Sequence, residues 1–115
     1  MKEESKVNII FIGDVVGSMG RDMVFDYTSR LRNKYEADFI IVNGENAAAG
    51  RGITKQIYDD FLRAGVDVVT LGNHAWDQRD IFEFIEDAEY LIRPANFSDE
   101  APGRGITQVS RNGKT

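Results

Sequence analysis

Asp14, Glu45, Asn46, Asn73 and His74 are residues that hydrophobic patterning does not ask for. Asp14 follows Gly13, Glu45 follows Gly44 and Asn73 follows Gly72, and each glycine permits a tight turn. Carboxylate and amide oxygens with a little imidazole form a hard donor set that suits Mg²⁺, Mn²⁺ or iron. Two carboxylates converging without a nearby lysine repel each other, and a cation between them relieves the repulsion. A carboxylate such as Glu45 can bridge two ions about 3.5–4 Å apart, the geometry of two-metal phosphoester hydrolysis. The same ions would hold an anionic substrate on a chain whose net charge is −5.

Position is what makes these residues a set. VNIIFIG (7–13), DFIIVNG (38–44), DVVTLGN (67–73) and YLIRPAN (90–96) are apolar runs of the kind that form buried parallel strands. Between the first two, Met23, Val24, Tyr27, Leu31 and Tyr35 recur at helical spacing, which predicts an amphipathic helix over 18–36. Thr54 caps a second helix that carries Ile57, Tyr58, Phe61 and Leu62 on one face and stops at Gly65. A third helix is expected over 77–88, with Ile81, Phe82, Ile85 and Ala88 facing inward. Met23, Tyr27, Phe61 and Phe82 are all read as core. The order is βαβαβαβ, an α/β fold with a parallel sheet and right-handed crossovers. Ligands of such sheets bind outside the carboxyl ends of the strands, and the first three strands deliver the five residues to that rim.

Taken singly, each has a plainer use. Asp14 caps a turn or helix, Glu45 and Asn46 fill a polar loop, Asn73 tolerates left-handed geometry, and His74 is a half-buried surface residue. At three consecutive strand ends the shared chemical reading is the stronger one. Trp76 stands beside the site, where it either stacks on a base or packs; packing is the expectation. Gly17-Ser18-Met19-Gly20 opens a helix and offers backbone N–H groups to phosphate, but it is neither a dinucleotide fingerprint nor a Walker loop. The acidic group Glu83, Glu86, Asp87 and Glu89 reads as a solvated helix face, and the repeated GRGIT at 50–54 and 103–107 as coincidence.

Composition narrows the classes. The chain has 115 residues, 42% hydrophobic and 29% charged, as a single globular domain has. It has no cysteine, which excludes a disulfide scaffold, a thiolate zinc site, an iron–sulfur cluster and a cysteine nucleophile. The net charge argues against duplex nucleic acid and anionic lipid as partners. The longest apolar run, IIFI, is far short of a membrane span, and the acidic start is unlike a signal peptide, so a cytoplasmic location is expected. At the other end ITQVS (106–110) alternates like an antiparallel strand and runs into the hairpin signal Asn112-Gly113. Only Lys114 and Thr115 follow, so the expectation is that 1–115 is the N-terminal part of a longer protein.

FIGDVVGSMGRDMV, IIVNGENAAAGRGIT and VVTLGNHAWD together resemble the YmdB-like family of metallophosphoesterases, within the calcineurin-like superfamily. The resemblance runs from about residue 7 to the end. It implies the N-terminal half of a four-layer α/β/β/α fold, a two-metal centre and phosphodiesterase activity on 2′,3′-cyclic nucleotides. It implies two divalent ions, iron or manganese first and magnesium next. Asp14 would bind one ion, Glu45 bridge both, Asn46 and Asn73 be further ligands, and His74 protonate the leaving oxygen. Asp77, expected one helical turn beyond His74, stands where it would orient the imidazole. Val15 and Val16 replace the Asp-x-His that the wider superfamily usually carries after strand one, and Glu45 replaces its bridging Asp; both fit the YmdB-like branch. The family completes its site with later histidines, and none follows His74 here, so the isolated 115 residues are expected to bind metal weakly and turn over little.

Two rival readings stand beside this one. A non-enzymatic α/β module would hold a nucleotide or a partner on the rim without turning it over, indifferent to chelator. A flavodoxin-like phosphate-binding domain is disfavoured, because no Ser/Thr-rich loop follows strand one. An incomplete sheet with an uncovered apolar face would also let copies associate as a homo-oligomer.

Overall fold

The computed structural model describes residues 6–115; the acidic start at 1–5, compared above with a signal peptide, lies outside the described residues. The apolar runs become four parallel strands, β1 (Ile9–Ile12), β2 (Phe39–Asn43), β3 (Val68–Thr70) and β4 (Leu91–Ile92), in the spatial order β1-β2-β3-β4. The register lines Ile12, Val42, Val69 and Leu91 into one row across the sheet. Val42, Val69 and Leu91 are fully buried, while Ile12 at the edge is half-buried. Burying a side chain of this size stabilises by roughly 1.5–3 kcal/mol, so the row anchors the sheet. Right-handed crossovers in a sheet ordered this way set the helices on one face.

Helix α1 (Gly17–Tyr35) ends on Glu36 in the left-handed conformation. Helix α2 (Lys55–Ala64) begins as expected, the Thr54 hydroxyl accepting from the Ile57 N–H at 3.3 Å. It stops at Gly65, whose φ of +106° only glycine adopts without strain. The two helices meet through Phe25 and Phe61, with ring centroids 5.6 Å apart.

Three expectations are corrected. Met23 and Tyr27 are exposed rather than core; α1 turns Val24 and Thr28 inward instead. The reason is that β1 is an edge strand, so the outer flank of α1 has no strand beneath it. The third helix is much shorter than 77–88: only α3 (Ile81–Phe84) and a 3₁₀ turn (Ile85–Asp87) form. Before them, side-chain bonds hold the chain in turns; Asp77 is bonded back to His74, and Gln78 to the Arg51 carbonyl. In this shortened helix Phe84 takes the buried place expected for Phe82, which is 52% exposed and stacks on Trp76.

The expected strand at 106–110 is also absent. Arg104 makes a single parallel bridge to Ile92, and Thr107, Gln108 and Val109 line a cleft with Ile9, Phe39, Ile41 and Val68 on the sheet face away from the helices. Asn112-Gly113 does make its turn, with φ of +55° and +76°, the signs of a type I′ hairpin. Arg111 and Lys114 exchange both backbone hydrogen bonds across it. These two residues then reach carboxylates at the amino ends of β2 and β3. Arg111 grips Asp67 at 2.7 and 2.9 Å, and Lys114 reaches Asp38 at 3.1 Å. The Asn8 N–H and the Lys114 ammonium hold the Asp38 carboxyl below its ordinary range.

Candidate functional site

All five expected residues stand at the carboxyl end of the sheet, on the loops after β1, β2 and β3. Asp14 follows β1 with φ of +54°, a left-handed conformation that aspartate tolerates better than most residues. The chain re-enters the fold at once, Val15 N–H donating to the Asn43 carbonyl at 3.4 Å.

The loop after β2 is folded on itself. Gly44 N–H donates to the Thr70 carbonyl at 2.9 Å, Gly50 N–H to Asn46 at 3.1 Å, and Gly52 N–H to Glu45. A Cβ at Gly44 would fall 2.9 Å from Val69 Cγ1, which is why the loop can leave the sheet only through glycine there. Helix α1 straps the loop from the other side. Gly17 N–H donates to the Asn46 carbonyl at 3.2 Å and the Arg21 guanidinium to the Ala47 carbonyl at 2.5 Å. The Gly17 amide is therefore engaged by the protein itself.

This loop brings Asn46 to Asp14, the amide Nδ2 lying 3.3 Å from Asp14 Oδ1. It also presses the Glu45 carboxylate against Gly72, at the end of β3 and one residue before Asn73; a Cβ at Gly72 would fall inside that carboxylate. Glu45 Oε2 is buried and has no hydrogen-bond partner among the described residues. A buried carboxylate oxygen left unpaired costs several kcal/mol unless a cation answers it. After β3 the imidazole Nδ1 of His74 lies 2.8 Å from Asp77 Oδ2, both side chains about one-third exposed.

The residues are thus brought together in pairs: Asp14 with Asn46, Glu45 with the turn that carries Asn73, and His74 with Asp77. Among the described residues no three His, Asp or Glu side chains converge on one point. Carboxylate and amide oxygens beside an unanswered buried oxygen are a donor set that fits a hard divalent cation. Trp76 has Phe82 stacked on it at 5.4 Å and Phe97 tilted toward it at 6.0 Å, so its packing role holds. Arg21 and Gln78 are the residues that sequence reasoning missed. Their role lies in bonds to loop carbonyls, which no local spacing encodes.

Comparison with known proteins gives a consistent set of relatives. Residues 10–115 match the family described as YmdB-like protein. The chain is 55% identical over 108 residues to the 2′,3′-cyclic-nucleotide 2′-phosphodiesterase of Bacillus subtilis, covering 94% of this chain and 41% of that protein. It superposes on a crystal structure of a hypothetical protein from Thermus thermophilus with a TM-score of 0.81 and 38% identity, covering 91% of this chain and 40% of the other. A crystal structure of a phosphatase from Mycoplasma pneumoniae matches with a TM-score of 0.79 and 36% identity, covering 86% and 37%. The chain spans about 40% of the length of the curated relatives it matches.

Proposed function

The chain belongs to the YmdB-like protein family, and from that premise we propose that the full-length protein is a metal-dependent phosphodiesterase whose substrates are 2′,3′-cyclic nucleotides. The observation that carries the reading is Glu45: a buried carboxylate oxygen without a partner, seated between the ends of two strands, next to the Asp14–Asn46 pair. In this reading Asp14 and Glu45 would hold the divalent cations through carboxylate oxygens, with Asn46 and Asn73 adding amide oxygens. Iron or manganese is the expected metal, and magnesium also fits the oxygen donors. When bound, the cations supply Lewis acidity and neutralise charge on the phosphoryl oxygens.

The chain's own residues do the rest. Asp77 accepts a hydrogen bond at Nδ1 of His74, which fixes the ring and leaves Nε2 to face a substrate. From there the imidazole hands its proton to the departing ribose oxygen. The strapped loop after β2 holds Glu45 and Asn46 at fixed depth, so the donors are in place before a ligand arrives. A cytoplasmic site of action and a small phosphoester substrate belong to the same proposal. Among the described residues no helix is long and apolar enough to cross a membrane.

The test is metal content by mass spectrometry together with turnover of bis-p-nitrophenyl phosphate and 2′,3′-cyclic AMP by the full-length protein. Bound metal and chelator-sensitive turnover support the reading; turnover unaffected by chelator overturns it. The 115 residues alone are expected to bind metal weakly and turn over little, since they supply few acidic ligands. A second reading, a nucleotide- or partner-binding module without catalysis, draws on the lack of three convergent acidic or imidazole groups among the described residues. It predicts nucleotide binding that survives chelation.

A further inference from the structure

We propose that Arg51 is the residue that anchors the anionic phosphate of the substrate, held at the rim for that purpose by Gln78. The inference rests on the phosphodiesterase reading and deepens it. An acidic chain with Asp14, Glu45 and Asp77 around one rim repels a phosphodiester on approach, and cations held by Asp14 and Glu45 would answer only the phosphoryl oxygens they touch. A guanidinium carried on the same rim would add attraction and orient the anion through paired N–H groups.

Among the basic residues near the rim, Arg51 is the one built for this. Arg21 is spent on the Ala47 carbonyl, and Lys55 is paired with Asp59 at 2.7 Å. Arg51 and Arg79 are exposed, and neither side chain has a hydrogen-bond or carboxylate partner among the described residues. Only Arg51 has both of its backbone groups pinned. Its N–H donates to the Ala48 carbonyl at 2.9 Å, and its carbonyl accepts from Gln78 Nε2 at 3.0 Å. Gln78 also fills the space at Gly52, where a Cβ would meet its Cγ at 2.8 Å. Gly52 in turn donates its N–H to the Glu45 carbonyl. Arg51 is therefore tied through one residue to Glu45 and through one side chain to the turn of His74.

The experiment measures two things on the metal-loaded full-length protein: binding of inorganic phosphate by calorimetry, and kcat and KM for bis-p-nitrophenyl phosphate. Arg51→Gln is expected to weaken phosphate binding about tenfold and to raise KM about as much, with kcat within about twofold. Arg51→Lys should recover part of the loss, because a point charge replaces a fork. Gln78→Ala should weaken binding in the same direction but less. Arg79→Gln removes the same charge and serves as the control, with both quantities within about twofold of the parent. The proposal is overturned if Arg51→Gln matches Arg79→Gln, or if the parent binds no phosphate. Should the parent bind phosphate without turnover, the phosphodiesterase reading fails, and the role of Arg51 is decided by the binding series alone.

Discussion

His74 and Asp77 meet at 2.8 Å, Nδ1 to Oδ2, across a turn rather than along a helix. The spacing of three residues serves either geometry, but the turn leaves Asp77 on the same loop as its partner, independent of the short helix α3 that follows. For the full-length protein we expect His74→Ala to lower kcat on phosphodiesters by about 10²–10⁴, the usual worth of a positioned proton donor. Asp77→Asn should lower kcat about tenfold and leave KM within about twofold, since it orients the ring and touches no substrate. Steady-state kinetics of both variants check this; an unchanged kcat in His74→Ala would sink the assignment.

Glu45 and Gly72 offer a second test. Gly72→Ala places a methyl group inside the Glu45 carboxylate and must displace it. Bound metal measured by mass spectrometry should fall well below that of the parent. Glu45→Gln should also lose metal, yet raise the metal-free melting temperature, because it removes a half-buried negative charge while keeping the side-chain shape. A variant that melts lower than the parent in chelator would show that the carboxylate is answered by the protein itself.

Asp38 predicts an acid limb in the stability curve. Its folded carboxyl lies below the ordinary 3.8, held down first by the Asn8 N–H and then by Lys114. A depressed folded value means that the stabilisation is fully present above the unfolded pKa. It is lost as pH falls from there through the folded one. Urea denaturation between pH 6 and about pH 2 should show this limb in the parent. In Asp38→Asn the limb should shrink, and Lys114→Ala should shrink it less, because the Asn8 bond remains.

Asp67 is the larger structural investment. Its side chain is 2% exposed and accepts from Arg32 at 2.9 Å, from Arg111 at 2.7 and 2.9 Å, and from the Ile40 N–H at 2.8 Å. Asp67→Ala leaves the buried Ile40 N–H and the Arg111 guanidinium without their acceptor and takes one of four acceptors from Arg32, and should cost about 3 kcal/mol. Arg111→Ala should cost no more than about 1 kcal/mol, since that side chain is 41% exposed and screened by solvent. Chemical denaturation of the two variants separates these values.

Much of this protein is local enough to be written in its sequence. Apolar runs closed by Gly13, Gly44 and Gly72 define three strand ends, and Thr54 and Gly65 bound α2 to the residue. Alternation of strand and helix then compels a parallel sheet, and a parallel sheet brings the ends that carry Asp14, Glu45, Asn46, Asn73 and His74 to one rim. Tertiary structure decided what depends on residues distant in the chain. Whether Met23 and Tyr27 are buried turns on β1 being an edge strand, a fact of sheet order that helical periodicity cannot carry. The third helix is preceded by turns in which Gln78 reaches the Arg51 carbonyl 27 residues away, a contact that helical periodicity does not report. The Asn112-Gly113 turn was legible as a turn, but its seat on Asp38 and Asp67 was not, because those carboxylates belong to the far ends of β2 and β3. Local patterning reports hydrophobic period and turn chemistry; it is silent on which polar groups will meet once the sheet has closed the distance between them.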